Sequence, residues 1–412
     1  MNTLTTMQVH EHLAGMARGG LVYLVGIGGC GMSGLAHIFL DLGFQVAGSD
    51  KIANSEIQEL RHRGAQIEIG HREENLDGLQ PALVVFTPAV PRDNPELQRA
   101  IARGLPLARR AMTLAALTRF CRPVCVAGMH GKTTTSALLA FALRNLGAEA
   151  AHAVGASVPQ LRPHAAWCGR TAFGECADRL FVLETDESDG TLCQFAPHHA
   201  ILLNVDAEHL DHYPDLEAVL ADFLKFAGQA TGRVVWCADD ANLVKLFAGR
   251  AGTCSYGFSL SADYRCKIQT ALPDAPTRFE VWHRGTKLGG FAVRLFGEKN
   301  VSNATAAIAL LHQLGHAPDQ IARAVEEFRG AARRQQELFR DSRFRVFDDY
   351  GHHPQEIRAV LASLRRLNPG RLLVAFQPHR FSRTKHLLPE FAASFTEADH
   401  LWLPGVYAAR EP

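Results

Sequence analysis

The segment from Pro123 to Leu146 constrains the fold most strongly, because it carries three structural signals in a fixed order. The apolar run PVCVA predicts a buried strand, and the residues from about Lys132 to Leu146 predict a helix. Between them lies a glycine turn that runs into a lysine and two threonines: Gly128, Met129, His130, Gly131, Lys132, Thr133, Thr134. Such a turn presents backbone N–H groups to phosphate, while the lysine neutralises charge and a hydroxyl group ligates Mg2+. The segment predicts a nucleotide-phosphate loop; a structural turn with a surface lysine is the alternative.

Short apolar runs alternate with helical patterns on both sides of this loop. Before it, we predict strands at 21–25, 45–49 and 82–86 and a helix at 31–42. After it, we predict strands at 180–184, 199–204 and 234–237, a loop at 158–178, and a helix at 216–227. Towards the C-terminus, the predicted elements are helices 301–314 and 318–328, strand 344–348, helix 354–366, strand 372–376, helix 384–396 and strand 400–403. This alternation is typical of α/β proteins with parallel sheets.

The length of 412 residues exceeds what one hydrophobic core normally organises, so we predict three domains. Their predicted bounds are 1–108, 109–330 and 331–412.

A second glycine-rich turn follows the first predicted strand, and its glycines are Gly26, Gly28, Gly29 and Gly31. Asp50 lies at the end of the next strand, at a distance in sequence that suits a ribose contact. The pattern predicts a site for a diphosphate-containing ligand. A dehydrogenase that binds a dinucleotide is the alternative.

Polar side chains follow two more predicted strands. Glu184 ends the strand LFVLE, and His209 comes shortly after the next strand. Because parallel strands end at the same edge of a sheet, both can reach a cation at the phosphate loop, and oxygen and imidazole are suitable ligands. A histidine on the surface or in the core is the alternative for His209.

Charge and cysteine content exclude several classes of protein. The 43 basic and 42 acidic residues are balanced and form no basic block, so we expect no nucleic-acid partner. No apolar run reaches the roughly 20 residues of a membrane span, and the N-terminal residues do not resemble a secretion signal. The nine cysteines show no CxxC pair, which argues against a disulfide framework or a thiolate zinc site. We therefore expect a cytoplasmic protein.

Eight segments of the chain, in order, resemble motifs of the Mur ligase family. They are GIGGCGMSGLA (26–36), GSD (48–50), AGMHGKTTT (127–135), ETDESD (184–189), NVDAEHLD (204–211), KNVSNATAA (299–307), DDYGHHPQEI (348–357) and QPHRFSRT (377–384). Within the family, they are most similar to the branch that attaches L-alanine to UDP-N-acetylmuramate.

The resemblance implies an α/β fold of three domains. The first is Rossmann-like and binds the UDP-sugar through Gly26, Gly28, Gly29, Gly31, Ser33 and Asp50. The central domain is a P-loop ATPase-type parallel sheet that binds ATP through the loop 128–134, with Mg2+ ions held by Thr133, Glu184 and His209. The third, Rossmann-like α/β domain delivers the amino acid.

The resemblance also implies roles for residues after position 298. Asn300 would contact adenine, Asp349 would contact the nucleotide, and Arg334 would lie near the transferred phosphate. The residues implied around the amino acid are Tyr350, His352, Arg380 and Arg383, the last two as a carboxylate clamp on a loop. Lys132, His352 and the three arginines are the expected catalytic residues.

The implied reaction forms an amide from the muramate carboxylate and L-alanine, with ATP as the energy source. Family members continue beyond the VYAARE segment, so we expect the third domain to be incomplete here. The strand edge expected at 400–403 would then favour association, and a homodimer is one expected form. Two further interpretations remain open: a recycling ligase that attaches a peptide, and a nucleotide- and UDP-sugar-binding protein with impaired catalysis.

Overall fold

A computed structural model describes residues 3–169, 173, 176–187, 190–206, 213–270, 272, 275–408 and 411. Its described part divides into two compact units. Unit 1 comprises residues 1–236 and 240–254, and unit 2 comprises residues 237–239 and 255–412. Within the described ranges, no helix combines the length and apolar character needed to cross a membrane.

The first part of unit 1 is a five-stranded parallel sheet with flanking helices. Its strand order is β3-β2-β1-β4-β5. The elements in chain order are α1 (Thr6–Gly15), β1 (Leu21–Val25), α2 (Cys30–Asp41), β2 (Gln45–Asp50), α3 (Ser55–His62), β3 (Gln66–Ile69), β4 (Leu83–Phe86), α4 (Pro95–Ala102), β5 (Leu107–Arg109) and α5 (Arg110–Thr118).

The second part of unit 1 is built on another parallel sheet, with strand order β11-β10-β6-β9-β7-β8, in which β8 alone is antiparallel to its neighbour. The elements are β6 (Arg122–Ala127), α6 (Lys132–Asn145), β7 (Ala151–Ala153), β8 (Ala165–Ala166), β9 (Leu180–Glu184), β10 (His199–Leu202), α7 (Leu216–Gly228), β11 (Val234–Cys237) and α8 (Ala241–Phe247).

Burial explains why the central strands are apolar along their whole length. All residues of β4 and β10 are buried, as are all but the first residue of β1 and β6. Helices cover both faces of a parallel sheet, so its strands lack the alternation of apolar and polar residues seen in half-exposed sheets. The carboxyl ends of these strands are therefore where the chain can place polar side chains.

Unit 2 contains a mixed sheet with strand order β15-β14-β13-β12, two helices packed along it, and two small two-stranded sheets. The elements are β12 (Thr253–Gly257), β13 (Tyr264–Thr270), β14 (Thr277–His283), β15 (Thr286–Val293), α9 (Glu298–Gln313), α10 (Pro318–Glu326), β16 (Gln336–Arg340), β17 (Arg345–Asp348), α11 (Pro354–Arg365), β18 (Leu373–Ala375), α12 (Phe381–His386), α13 (Leu388–Ala392) and β19 (His400–Trp402).

The structure corrects two predictions of secondary structure. The single helix predicted at 384–396 is instead α12, α13 and a short 3-10 turn, because Pro389 lies at the start of α13 and cannot continue a preceding helix. The loop predicted at 158–178 contains the two-residue strand β8, which pairs with β7.

Candidate active site

The first glycine loop joins β1 to α2 and is held by the end of β2. The N–H groups of Gly26 and Ile27 both donate to the Ser49 carbonyl, at 2.8 and 3.0 Å, and the Gly28 N–H donates to Asp50 Oδ2 at 2.8 Å. Asp50 thus orients the loop. Ser33 is buried and its hydroxyl donates to the Cys30 carbonyl at 3.1 Å. Gly29 caps α2 without a side-chain hydrogen bond, so the start of this helix remains available for an anion.

Arg110, at the start of α5, lies against this loop. A Cβ atom placed on Gly31 would come within 2.9 Å of Arg110 Cδ and 3.2 Å of its Nη1. Glycine at position 31 therefore lets a guanidinium group approach the loop backbone closely. Arginine can donate two parallel hydrogen bonds to a phosphate, so Arg110 is a candidate ligand for a diphosphate.

The phosphate loop between β6 and α6 is fixed by Asn204, which follows β10. Asn204 Oδ1 accepts from the His130 N–H at 2.8 Å, and Asn204 Nδ2 donates to the His130 carbonyl at 2.9 Å. The Met129 N–H donates to the Asn204 carbonyl at 3.3 Å. Gly131 adopts a left-handed conformation as the N-cap of α6. These bonds shape the turn, as expected for a preorganised anion site.

Lys132 is held by an acidic residue of the neighbouring strand end. Its Nζ atom lies 2.8 Å from both carboxylate oxygens of Glu187, whose side chain is fully buried. Burial by itself lowers the pKa of Lys132, but the carboxylates of Glu187, Asp186 and Glu184 outweigh it, and the pKa is raised. Lys132 is therefore a positively charged group at neutral pH.

Thr133 and Glu184 are brought together as the sequence predicts. The Thr133 hydroxyl donates to Glu184 Oε2 at 3.0 Å, and the Gly155 N–H donates to Glu184 Oε1. A hydroxyl and a carboxylate side by side are oxygen ligands of the kind that Mg2+ prefers. The buried Thr134 follows on α6. His209, the other predicted metal ligand, lies outside the described residues.

One residue of the first glycine loop, Cys30, is affected by the charge of Glu184 beside the phosphate loop. Burial raises the pKa of the Cys30 thiol to about 12, and the negative charge of Glu184 contributes to the rise. Cys30 opens α2 in the first loop, whereas Glu184 ends β9 beside the phosphate loop. Glu184 is therefore close enough to Cys30 to affect the pKa of its thiol.

In the ATP-dependent reaction that the family resemblance implies, substituting Gly128 by alanine is expected to lower kcat/KM for ATP by about 10²-fold, the effect of a misplacement of roughly 1 Å. Gly128 has φ +142°, and an added Cβ would lie 2.9 Å from Leu203 Cβ and 3.0 Å from the Asn204 nitrogen. The loop would have to shift away from β10. Steady-state kinetics with varied ATP measures the effect. Gly290→Ala is the control, because nothing lies within 4 Å of its added Cβ; equal losses in both variants would contradict the assignment.

In unit 2, Asp349 is the centre of a connected polar group. Its Oδ2 accepts from the Gln335 N–H at 2.7 Å, and its Oδ1 accepts from the Gly351 N–H at 2.6 Å. Asn300 Nδ2 lies 3.4 Å from Gln335 Oε1 and donates more strongly to the Phe296 carbonyl, at 2.7 Å. Burial raises the pKa of Asp349, and these N–H donors oppose the rise. Asn300 and Asp349 are thus linked through Gln335.

Two other predicted residues of unit 2, Arg334 and His352, lie beside Tyr350. The guanidinium carbon of Arg334 lies 5.2 Å from the centre of its ring, within the range of a cation–π contact. The ring of His352 lies 5.1 Å from that of Tyr350, and His352 Nδ1 lies 3.0 Å from the Tyr350 carbonyl. The structure therefore brings Arg334, Tyr350 and His352 together in unit 2.

Of the two predicted arginines, only Arg383 lies in a helix. Arg380 caps α12 with φ +74°, and Arg383 lies within this short helix. Arg380 Nε donates to Glu411 Oε1 at 2.9 Å, and the Ser382 N–H donates to Glu411 Oε2 at 2.8 Å. Glu411 thus holds the start of α12 and Arg380 together. The expectation of a loop was wrong for Arg383, because the run from Phe381 to His386 forms a short helix, whereas Arg380 precedes that helix.

Sequence reasoning missed Arg110, Asn204 and Glu187. Asn204 and Glu187 stand in the quoted segments NVDAEHLD and ETDESD, so their position after a strand was a usable signal. The sequence carried no signal for Arg110, because its contact with Gly31 depends on how α5 packs. The lack of a CxxC pair also gave no sign of a cysteine cluster, yet the sulfur atoms of Cys121, Cys168 and Cys176 lie within 4.8 Å of one another.

Family models match three consecutive parts of the chain. Residues 21–122 match the Mur ligase family catalytic domain, residues 126–311 the Mur ligase middle domain, and residues 333–411 the glutamate ligase domain of Mur ligases. The matches cover most of the chain. The three α/β domains expected from the resemblance are thereby confirmed.

Curated and solved proteins give the same result. The chain is 42% identical over 393 residues to the UDP-N-acetylmuramate--L-alanine ligase of Solibacter usitatus, covering 95% of this chain and 81% of the relative. It is 41% identical over 398 residues to that of Sorangium cellulosum, covering 95% and 82%. The crystal structure of the UDP-N-acetylmuramate-alanine ligase from Thermotoga maritima matches with a TM-score of 0.80 at 30% identity, covering 94% of this chain and 85% of that one. This chain therefore belongs to the Mur ligase family.

Proposed function

We propose that this protein joins L-alanine to the carboxylate of UDP-N-acetylmuramate in an ATP- and Mg2+-dependent reaction. The observation that carries the proposal is the phosphate loop with a charged Lys132 beside the Thr133–Glu184 pair, in the same unit as a second glycine loop. A triphosphate and a UDP-sugar each need such an anion site. Relatives named for this reaction support the choice of substrates.

The reaction has two steps. The muramate carboxylate attacks the γ-phosphorus of ATP, which gives an acyl phosphate and ADP. The neutral amine of alanine then attacks the acyl carbon, loses a proton, and expels inorganic phosphate to leave an amide. Phosphorylation is needed because a carboxylate oxygen is otherwise too poor a leaving group, and the contribution of the protein is chiefly positioning and charge stabilisation.

In unit 1, Lys132 and the N–H groups at the start of α6 would neutralise the transferred phosphoryl group. Thr133 and Glu184 fit Mg2+, because they offer paired oxygen ligands, and His209 is a further proposed ligand. Bound there, Mg2+ would offset the negative charge of the phosphates. Gly26, Gly28, Gly29, Gly31 and Ser33, with Asp50 orienting the loop, would form the UDP-sugar site.

In unit 2, Asn300 and Asp349 would contact the nucleotide and Arg334 the transferred phosphate. Tyr350, His352, Arg380 and Arg383 would bind the amino acid. His352 is one candidate to accept the proton of the amine, since its ring is partly exposed beside Tyr350. The pairing of Arg380 with Glu411 means that a carboxylate ligand must share or replace that partner.

A phosphate-release assay tests this function. The full chain is mixed with ATP, MgCl2 and UDP-N-acetylmuramate, and single amino acids are added in parallel. We expect release with L-alanine, stoichiometric amide product by mass spectrometry, and no release when either acceptor is omitted. Serine and glycine arms measure selectivity. Absence of release in every arm, despite binding of ATP and UDP-N-acetylmuramate by calorimetry, would instead identify a binding protein without ligase activity.

A peptide-adding ligase is the competing member of the family. The murein peptide ligase of Psychrobacter arcticus matches this chain with a TM-score of 0.73 at 26% identity. A tripeptide arm in the same assay distinguishes the two, because a preference for tripeptide over alanine would overturn the proposal.

We also propose a cytoplasmic location, since the substrates are cell-wall precursors. Light scattering measures whether the protein forms the homodimer predicted above.

A further inference from the structure

Three side chains of the types that can ligate a metal ion, two histidines and a glutamate, meet beside the first glycine loop. They come from separate parts of unit 1. His37 lies on α2, Glu56 on α3, and His164 just before β8. Glu56 Oε2 lies 3.7 Å from His37 Nε2 and 3.6 Å from His164 Nδ1, and the three ligand atoms lie within 4.8 Å of one another. His37 is fully buried, His164 is 4% exposed, and Glu56 is 25% exposed.

The hydrogen bonds around this cluster leave its centre unsatisfied. His164 Nε2 lies 2.9 Å from the Cys30 carbonyl, which can only accept, so this nitrogen carries a hydrogen. In the neutral ring, the lone pair of Nδ1 then faces the Glu56 carboxylate. His37 Nε2 and Glu56 Oε2 are buried, and neither atom has a hydrogen-bond partner within 3.5 Å; the contact between them is 3.7 Å long. Buried polar atoms without a partner are costly, and a cation between them removes that cost.

We propose that His37, Glu56 and His164 bind a divalent transition-metal ion of the Zn2+ class. Two imidazoles and a carboxylate are the ligands such ions favour. Ligand atoms on a tetrahedral zinc ion are separated by about 3.4 Å, given Zn–N and Zn–O distances near 2.1 Å. The observed separations from Glu56 exceed this by only a few tenths of an ångström.

The outer contacts of His164 suit a metal ligand. A ligating histidine normally donates its other ring N–H to a carbonyl or carboxylate, and His164 does so to Cys30. Close packing fixes this part of the chain, because a Cβ on Gly34 of α2 would lie 3.1 Å from Ala165 Cβ. The Trp167 N–H also donates to Asp41 Oδ2 at 2.8 Å. A bound ion would therefore link α2 and α3 to the segment before β8.

Arg63 opposes binding at His37. Its Nη1 atom lies 2.6 Å from His37 Nδ1, and its Nη2 lies 2.6 Å from Asp41 Oδ1. Arginine can only donate, so Nδ1 must accept and the hydrogen of neutral His37 lies on Nε2, which points to the cluster. Metal binding requires the opposite tautomer and displacement of Arg63 from this contact. Arg63 thus sets the affinity of the site.

Metal titration of the chelator-treated full-length protein tests the site. We expect one equivalent of Zn2+ to bind and to raise the melting temperature, and Co2+ to give the visible absorption of a site with nitrogen and oxygen ligands. Glu56→Gln and His164→Asn should abolish both effects. His164→Asn keeps a donor for the Cys30 carbonyl but removes the ligand. His62→Asn, at an exposed position of α3, is the matched control and should bind as the wild type does.

A second variant tests the tautomer argument. Arg63→Gln replaces the donor by a side chain that can accept from His37 Nδ1, so we expect Zn2+ affinity to rise by about 10-fold, the usual scale for outer contacts of a metal ligand. Unchanged or weaker binding would contradict the role given to Arg63. Circular dichroism shows whether each variant is folded.

Two other sites on this chain could take up the ion. Binding that persists in both Glu56→Gln and His164→Asn would overturn the proposal. The proposal would also be overturned if Cys168→Ser lost metal binding and the Co2+ form of the wild type showed a thiolate-to-cobalt charge-transfer band. That result would place the ion among the three cysteines. Loss in Glu184→Gln would place it at the phosphate loop. None of these measurements uses ligase activity, so they stand apart from the proposed function.

Discussion

Lys132→Ala is expected to reduce ATP-dependent amide formation by about 10²-fold or more, the usual cost of removing a preorganised charge that stabilises a transition state. Lys132 opens α6, its pKa is raised, and its ammonium group is held 2.8 Å from both carboxylate oxygens of Glu187. Its loss removes a positive charge from the place where the transferred phosphoryl group carries most of its negative charge. Phosphate release with saturating UDP-N-acetylmuramate and alanine measures the effect. Lys245→Ala, an exposed lysine on α8, is the control and should be fully active.

The same substitution should also destabilise the protein, since it removes the ammonium group that lies 2.8 Å from both oxygens of the buried Glu187 carboxylate. Breaking a buried ion pair by removing one partner costs about 3–5 kcal/mol. Lys132→Met combined with Glu187→Gln removes both charges and should recover most of this stability, as measured by urea denaturation. We expect the double variant to remain inactive. If it regained ligation along with stability, Lys132 would have only a structural role.

Local signals made much of unit 1 predictable. The strand PVCVA, the glycine turn and the helix from Lys132 are adjacent in sequence, and the structure places them in β6, the loop and α6. The meeting of Thr133 with Glu184 was also predictable, because both follow parallel strands of one sheet. The rule that such strands end at a common edge needs no knowledge of packing.

Contacts that depend on tertiary packing were not predictable. The strands β13, β14 and β15 form antiparallel pairs whose exposed faces carry polar residues, and the alternating strand–helix pattern gave no reason to expect them. Arg110 reaches Gly31 only because α5 packs beside α2. His37, Glu56 and His164 are separated by 19 and 108 residues in the chain, so their spacing in the sequence does not predict that they lie together.

Glu184→Gln is expected to reduce ligation by about 10²-fold and to raise the Mg2+ concentration needed for half-maximal rate. The glutamine keeps the size of the side chain, and its carbonyl oxygen can still accept from either Thr133 or Gly155. What it lacks is the negative charge, which a doubly charged ion requires from its protein ligands. Stability should therefore change less than activity. Initial rates over a range of MgCl2 concentrations, with ATP fixed, measure both the maximal rate and the Mg2+ concentration needed for half of it.

The control is Glu217→Gln, whose exposed carboxylate pairs with Lys245 on the surface of the same unit. It should leave both the rate and the Mg2+ dependence unchanged. A Glu184→Gln variant that is slow but has an unaltered Mg2+ dependence would mean that Glu184 only shapes the loop through Thr133 and Gly155. A shifted Mg2+ dependence has no such structural explanation, because hydrogen bonds within the protein do not depend on the concentration of the ion. The titration therefore decides between a metal ligand and a loop support.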